Sequence, residues 1–389
     1  MADTLFPDLE RQLGGSVSTG ILPDRALVQL IESGLISAAE PVGTGQVQPA
    51  SLDLRLGPIA YRVRASFLPG ANHSVRQRME SLVMHEVDLT RPTVLEKGCV
   101  YIVPLMEELN LPGRLSARAN PKSTIGRIDV FARLITDYAS TFEEIPAGFK
   151  GKLYLEISPR TFSILVRQGD RLNQLRVVKG SPLPSDAALE RLHERDGLVV
   201  SSDDQETEAV IRKKSLWISI DLEGQGTAEI VGYRAKQHSP ILDLARIAHY
   251  DPLDFWEPIP ARTRNLILNP DDFYILVSRE KLRVPPDYAA EMVAYDTAVG
   301  EFRAHYAGFF DPGFGYGGGE IQGTRAVLEV RSHEVPFLLE DGQIIGRLIY
   351  ERMAEPPERL YGSDIGSSYQ GQGLALSKQF APLDRATIR

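Results

Sequence analysis

Apolar and polar residues alternate along this chain in short stretches, the period of half-buried β-strands rather than of helices. SLDLRLG (51–57), CVYIVPL (99–105), KLYLEIS (152–158) and FSILV (162–166) are set off by Gly, Pro and Asn. That pattern predicts many short antiparallel strands in a barrel or sandwich. Helical periodicity is brief. DRALVQLIES (24–33) predicts a short helix with Asp24 placed to cap it and Gly34 to end it.

The same series then recurs. LEKGCVYIVPLMEELNLPGRL (95–115) aligns without a gap on LNPDDFYILVSREKLRVPPDY (268–288), so that Tyr101 falls on Tyr274 and Pro112 on Pro285, an offset of 173 residues. KLYLEISPRTFSILVRQGDRLNQL aligns with RAVLEVRSHEVPFLLEDGQIIGRL at the same offset, placing Glu156 on Glu329 and Gly169 on Gly342. An ordered series of this kind marks an internal duplication. Between the copies, GSPLPSDAALERLHERDGLVVSSDDQETEAV (180–210) reads as a surface linker around a short helical stretch at 187–194. The expected domains are 1–184 and 185–389.

Composition narrows the class. With 43% hydrophobic and 24% charged residues, the chain reads as an ordinary soluble globular protein. No apolar run approaches a membrane span, and the first residues lack the regions of a signal peptide, so a cytoplasmic protein without membrane attachment is expected. The net charge of −9 argues against a general nucleic-acid surface but leaves room for a local basic cluster on a small phosphorylated ligand. Cys99 is the single cysteine, which excludes an internal disulfide and a cysteine-rich zinc site. The seven histidines form no ligand pair at helical spacing, and His305 and His333 read as surface or packing residues, as do Trp217 and Trp256 as packing residues.

Several segments resemble the dCTP deaminases, which share the β fold of the trimeric dUTPases. GILPDRALVQLIESGLI with VQPASLDLRLG resembles that family's N-terminal helix and first strand. KSTIGRIDV (122–130) resembles its phosphate-binding segment, FFDPGFG (309–315) with RAVLEV (325–330) its nucleoside hairpin and catalytic strand, and LYGSDIGSSYQGQG (360–373) its closing tail. The resemblance implies a mainly β chain of two tandem dUTPase-like barrel or sandwich domains with a few short helices.

The family pattern is divided between the copies. The first keeps Lys122, Ser123, Thr124, Gly126 and Arg127, where the second has YDTAVGE (295–301). The second keeps Asp311-Pro312-Gly313, where the first has Pro146-Ala147-Gly148. By resemblance, active sites of this family lie between subunits, so a composite site is expected: the phosphate segment of copy one against the hairpin, Glu329 and tail of copy two.

The resemblance assigns roles. Glu329 would move protons during water addition to the base, a task suited to a carboxylate whose burial brings its pKa toward the working pH. Zinc deaminases instead use an H-x-E…P-C-x-x-C signature that is missing from this sequence, so water would be held without zinc, by Ser123 and Arg127. Lys122, Ser123, Thr124, Gly126 and Arg127 would take the triphosphate, together with its Mg²⁺. Asp311 would accept from the sugar 3′-hydroxyl, Val327 and Leu328 would border the base, and Tyr361, Tyr369 and Gln372 would close over the nucleotide. Ser368 stands where the family commonly has a phosphate-binding Lys, and Glu156 reads as a relic or a structural residue.

The expected reaction is dCTP deamination to dUTP. A dUTP diphosphatase, a bifunctional deaminase–diphosphatase, and a non-catalytic nucleotide-binding regulator are the alternatives, with dUTP or dTTP as further possible ligands. The resemblance also implies a homo-oligomer with a trimer-like arrangement of domains.

Overall fold

The computed structural model describes residues 19–201, 208–224, 230–261, 263–293, 302–304, 308–317, 322–332, 335–362 and 369–383. The expectations for residues 295–301, for His305 and His333, and for Ser368 lie outside them.

The fold is mainly β, as the alternation predicts. In the first half, Arg171–Lys179 pairs antiparallel with Leu115–Pro121 and with Leu52–Arg55. A second sheet runs through Val83–Asp88, Ile59–Val63, Val100–Asn110, Lys150–Pro159 and Val130–Thr136. The second half repeats this plan. Ile344–Arg352 pairs with Tyr288–Val293 and Ser215–Ser219, while Phe273–Leu282 lies between Ile230–Ala235 and Thr324–Ser332.

The duplication is preserved in hydrogen-bond register. Glu156 lies opposite Ile102 and Glu329 opposite Ile275, the same pairing 173 residues on. Because a one-residue slip would turn every side chain to the other face, this agreement puts Glu156 and Glu329 on equivalent faces of equivalent strands.

The halves are joined through a shared interior. Phe162 of the first half packs edge-on against Phe255 and Trp256 of the second, at 5.4 and 5.3 Å between ring centroids. Leu242–Asp243 adds a short parallel strand to Ile164–Leu165. Trp256 is fully buried and Trp217 nearly so, in keeping with packing roles.

Two local expectations need correction. Asp24 is the first residue of helix Asp24–Glu32, and the N-cap is Pro23. The Asp24 carboxylate instead accepts the amide of Glu358 at 3.0 Å and Nε of Arg359 at 3.2 Å, tying the first helix to the segment that follows strand Ile344–Arg352. The segment read as a surface linker is partly structural. Helix Asp186–Asp196, capped by the Ser185 hydroxyl, buries Leu189 and Leu192 in the second core, and Val199–Val200 joins the sheet beside Lys281–Leu282. The apolar i, i+3 pair within an otherwise charged helix was the signal of that burial.

Candidate active site

A pocket of about 320 Å³ opens between the halves, within the usual range for small-ligand sites. Its first wall grows from the end of strand Leu115–Pro121. Lys122 is extended and caps a single helical turn, Ser123–Gly126; its carbonyl accepts the amides of Ile125 and Gly126 at 2.8 and 3.1 Å. Ile125 and Ile128 anchor that turn in the core, leaving Lys122, Ser123, Thr124 and Arg127 on the pocket. Gly126 is buried within the turn and is not among the residues lining the cavity. The Lys122 ammonium pairs with buried Asp53, and Arg171 lies 3.7 Å from the same carboxylate.

The opposite wall belongs to the second half. Phe309, Phe310 and Phe314 give it an aromatic surface, with Asp311 nearly buried among them. Gly313, at φ 93°, lets this hairpin press against the chain after Leu360: a Cβ there would lie 3.0 Å from Leu360 Cβ and 3.1 Å from the Tyr361 amide nitrogen. Burial raises the Asp311 carboxyl above its ordinary value, while Arg176 and then Lys122 pull it down.

Glu329 and Val327 reach the same pocket from strand Thr324–Ser332, whereas Leu328 is in the second core. That alternation follows from the strand's period of two. On the face of Glu329, both flanking arginines are engaged. Arg325 pairs with Asp221 and donates to the Ser278 carbonyl at 2.9 Å. Arg331 pairs with Asp129 and donates to the Thr161 hydroxyl at 2.9 Å, and that hydroxyl donates to Asp129 at 2.6 Å. Asp129 lies two residues beyond Arg127, so this pair ties the phosphate-type turn directly to the Glu329 strand.

The tail closes the third side. Arg127 donates to Gln372 Oε1 at 3.1 Å and to the Ala375 carbonyl at 3.0 Å, with its guanidinium 3.8 Å above the Tyr369 ring. Tyr361 packs against Phe314, and burial pushes the phenols of both Tyr361 and Tyr369 up. Beyond Gln372 the chain is pinned. The Ser377 hydroxyl donates to the Thr124 carbonyl at 2.8 Å, and Phe380 inserts its ring among Tyr250, Phe255 and Trp256. Lys378, held between these anchors, lines the pocket; burial, reinforced by the charge of Lys122, lowers its pKa.

Ten of the residues singled out from the sequence therefore meet here, within one chain: Lys122, Ser123, Thr124, Arg127, Asp311, Val327, Glu329, Tyr361, Tyr369 and Gln372. Glu156 is elsewhere, fully buried and paired with Arg133, whose guanidinium stacks 3.9 Å from Phe142. Gln174, Arg325 and Lys378 also line the pocket without having been singled out: Arg325 opens the RAVLEV segment but was given no role, and Gln174 and Lys378 lie outside the site motifs. Lys378 carried a weak signal as a cation soon after the tyrosine–glutamine tail.

Chemically, the pocket combines a cationic end at Lys122 and Lys378, an aromatic wall, a nearly buried carboxylate at Glu329, and hydroxyl and guanidinium groups on the same lining. This set suits an anionic ligand with a flat apolar part and proton transfer at that part.

Residues 18–181 match the family described as 2′-deoxycytidine 5′-triphosphate deaminase (DCD) N-terminal domain, and residues 185–380 its C-terminal domain. A crystal structure of 2′-deoxycytidine 5′-triphosphate deaminase from Agrobacterium tumefaciens is similar at a TM-score of 0.80 and 54% identity, covering 88% of this chain and 100% of that one. Among curated relatives, a "dCTP deaminase, dUMP-forming" from Salinispora arenicola is 30% identical over 160 residues, 41% of this chain and 79% of that protein. One of the same description from Thermobifida fusca is 31% identical over 157 residues, 40% and 76% of the two chains. With both family domains matched in order along nearly the whole sequence, the chain belongs to the dCTP deaminase family.

Proposed function

We propose that the chain converts dCTP and water to dUTP and ammonia, with Glu329 as the proton carrier. The observation that supports this most is the convergence of Glu329, Ser123 and Arg127 on one pocket with a cationic end. Water adds to C4 of the cytosine as Glu329 takes its proton and passes that proton to N3. Glu329 then takes the proton of the new C4 hydroxyl and delivers it to the exocyclic amine, the C4–N bond breaks as the C4 carbonyl forms, and ammonia leaves. Ser123 and Arg127 hold the water and offset charge that develops during addition. No zinc is required in this scheme.

Lys122, Ser123, Thr124 and Arg127 take the triphosphate, with Gly126 giving the turn its tightness and Lys378 adding a second ammonium. The substrate enters as its Mg²⁺ complex, the ion carried by phosphate oxygens and water. Asp311 accepts from the sugar 3′-hydroxyl, Val327 and the backbone of Leu328 border the base, and Tyr361, Tyr369 and Gln372 cover it.

A second reading, deamination followed by triphosphate cleavage to dUMP, is favoured by the names of the curated relatives. Following ammonia and pyrophosphate together from Mg–dCTP separates the two. Ammonia without pyrophosphate is the expected result; equal release of both would establish the dUMP-forming reading. Glu329→Gln is expected to bind dCTP and release neither product, and ammonia from that variant at the wild-type rate would overturn the proton-carrier role.

A further inference from the structure

Arg176 belongs to the first half, on strand Arg171–Lys179, yet its fully buried guanidinium serves the second. It donates to the Ala290 carbonyl at 2.8 Å, to the Phe310 carbonyl at 2.9 Å and to Asp311 Oδ1 at 3.1 Å, and it lies 4.0 Å from the centroid of the Phe309 ring. Three of these contacts converge on the hairpin that carries Asp311, and the fourth holds Ala290 on the strand paired with it. The repeat shows that this is a specialisation of one copy, because the residue 173 positions on is Ile349. Its cross-strand neighbour Arg118 is engaged the same way, 3.2 Å from Glu291 and paired with Glu351.

We infer that Arg176 is a positioning residue for sugar recognition, fixing from one half the backbone and carboxylate orientation by which Asp311 in the other half reads the 3′-hydroxyl. The inference rests on the sugar-binding role of Asp311 given above.

A carboxylate in so buried a place needs a fixed partner to remain an ionised acceptor. The charged and titratable groups facing Asp311 are Arg176, Lys122, Asp53 and Tyr361. Of these Arg176 is the strongest influence favouring ionisation, and burial opposes it. Glu291 and Glu351 in turn support the charge on Arg176. Removing the guanidinium leaves Asp311 to take up a proton at higher pH and deprives the Ala290 and Phe310 carbonyls of that donor. Substrate binding that needs the ionised carboxylate is retained above its pKa and lost as pH falls. The acidic limb of kcat/KM therefore moves upward in the variant.

The test compares dCTP with 2′,3′-dideoxy-CTP in wild type, Arg176→Met, Arg176→Lys and Asp311→Ala, each checked for folding by circular dichroism. For Arg176→Met, KM for dCTP is expected to rise about tenfold, the scale of one lost buried hydrogen bond to a charged group. The dideoxy substrate changes little, so the preference for dCTP collapses, and the acidic limb shifts up. Arg176→Lys keeps a charge but not the three-way fork, and is expected to lose preference while retaining more of the limb. If the Met variant does not fold, the Lys variant decides: an unchanged preference overturns the inference. A folded Arg176→Met with unaltered preference and pH profile overturns it as well. Loss of preference in Asp311→Ala alone would leave the sugar-binding reading standing and remove only Arg176; preference intact in Asp311→Ala would remove that reading itself.

Discussion

Replacing Arg127 with alanine removes more than one positive charge. The guanidinium makes two hydrogen bonds into the tail, to Gln372 and Ala375, and stacks on Tyr369, while only 4% exposed. Hydrogen bonds to a charged group contribute about 1.5–3 kcal/mol each, and a desolvated cation over an aromatic ring about 0.5–2 kcal/mol. Together these bound the loss at roughly 3.5–8 kcal/mol, from which the released tail regains part by bonding to water. A net loss of about 3–4 kcal/mol corresponds to a 10²–10³-fold drop in kcat/KM. The assay is ammonia release from Mg–dCTP across substrate concentration, alongside limited proteolysis of residues 369–383. The expected result is that drop together with faster cleavage of the tail. Arg127→Lys is expected to fall between, because lysine keeps the charge but neither the fork nor the stacked plane. A folded Arg127→Ala within about threefold of wild type, with its tail equally protected, would refute the reasoning.

Lys378→Ala is expected to raise KM for dCTP about tenfold, on the scale of one charge-assisted phosphate contact, while activity on deoxycytidine is unchanged; steady-state kinetics on both substrates checks this. The Lys378 ammonium is pulled below the ordinary lysine range. Its charge is therefore present at low pH and lost as pH rises, so the wild-type KM is expected to climb at alkaline pH sooner than an exposed lysine would make it, and less so in Lys378→Ala. Phe380→Ala removes a ring that contacts Tyr250, Phe255 and Trp256. Thermal unfolding is expected to show destabilisation of about 3–5 kcal/mol, accompanied by a higher KM as Ser377 and Lys378 lose their anchor.

The repeat was legible because strand pairing forces like sequences into like register, and the 173-residue offset survives in the pairing of Glu156 with Ile102 and Glu329 with Ile275. Residues in contiguous motifs, such as Lys122 to Arg127 or Asp311 to Gly313, could be found because local turns hold them together. Arg176 could not. Its partners lie 114 to 135 residues away, and on a strand of mixed polar and apolar residues it reads as an ordinary charge. The helix at 187–194 was legible, but its burial was not, for a related reason: it rests on two leucines whose partners are in the second half's core. Local pattern specifies faces and turns, whereas which half covers which face is set by tertiary packing alone.

The central claim is that one chain supplies both walls of a working site, and complementation tests it most directly. Arg127→Ala disables the wall from the first half and Glu329→Gln the wall from the second. The two variants are co-expressed with different tags, the mixed assembly is isolated through both tags, and ammonia release from Mg–dCTP is measured. If each site is built within one chain, every site in the mixture carries one lesion, and activity is expected to stay at the level of the single variants. Recovery of a substantial fraction of wild-type activity would mean that the phosphate-type turn of one chain meets Glu329 of another, and would contradict the account.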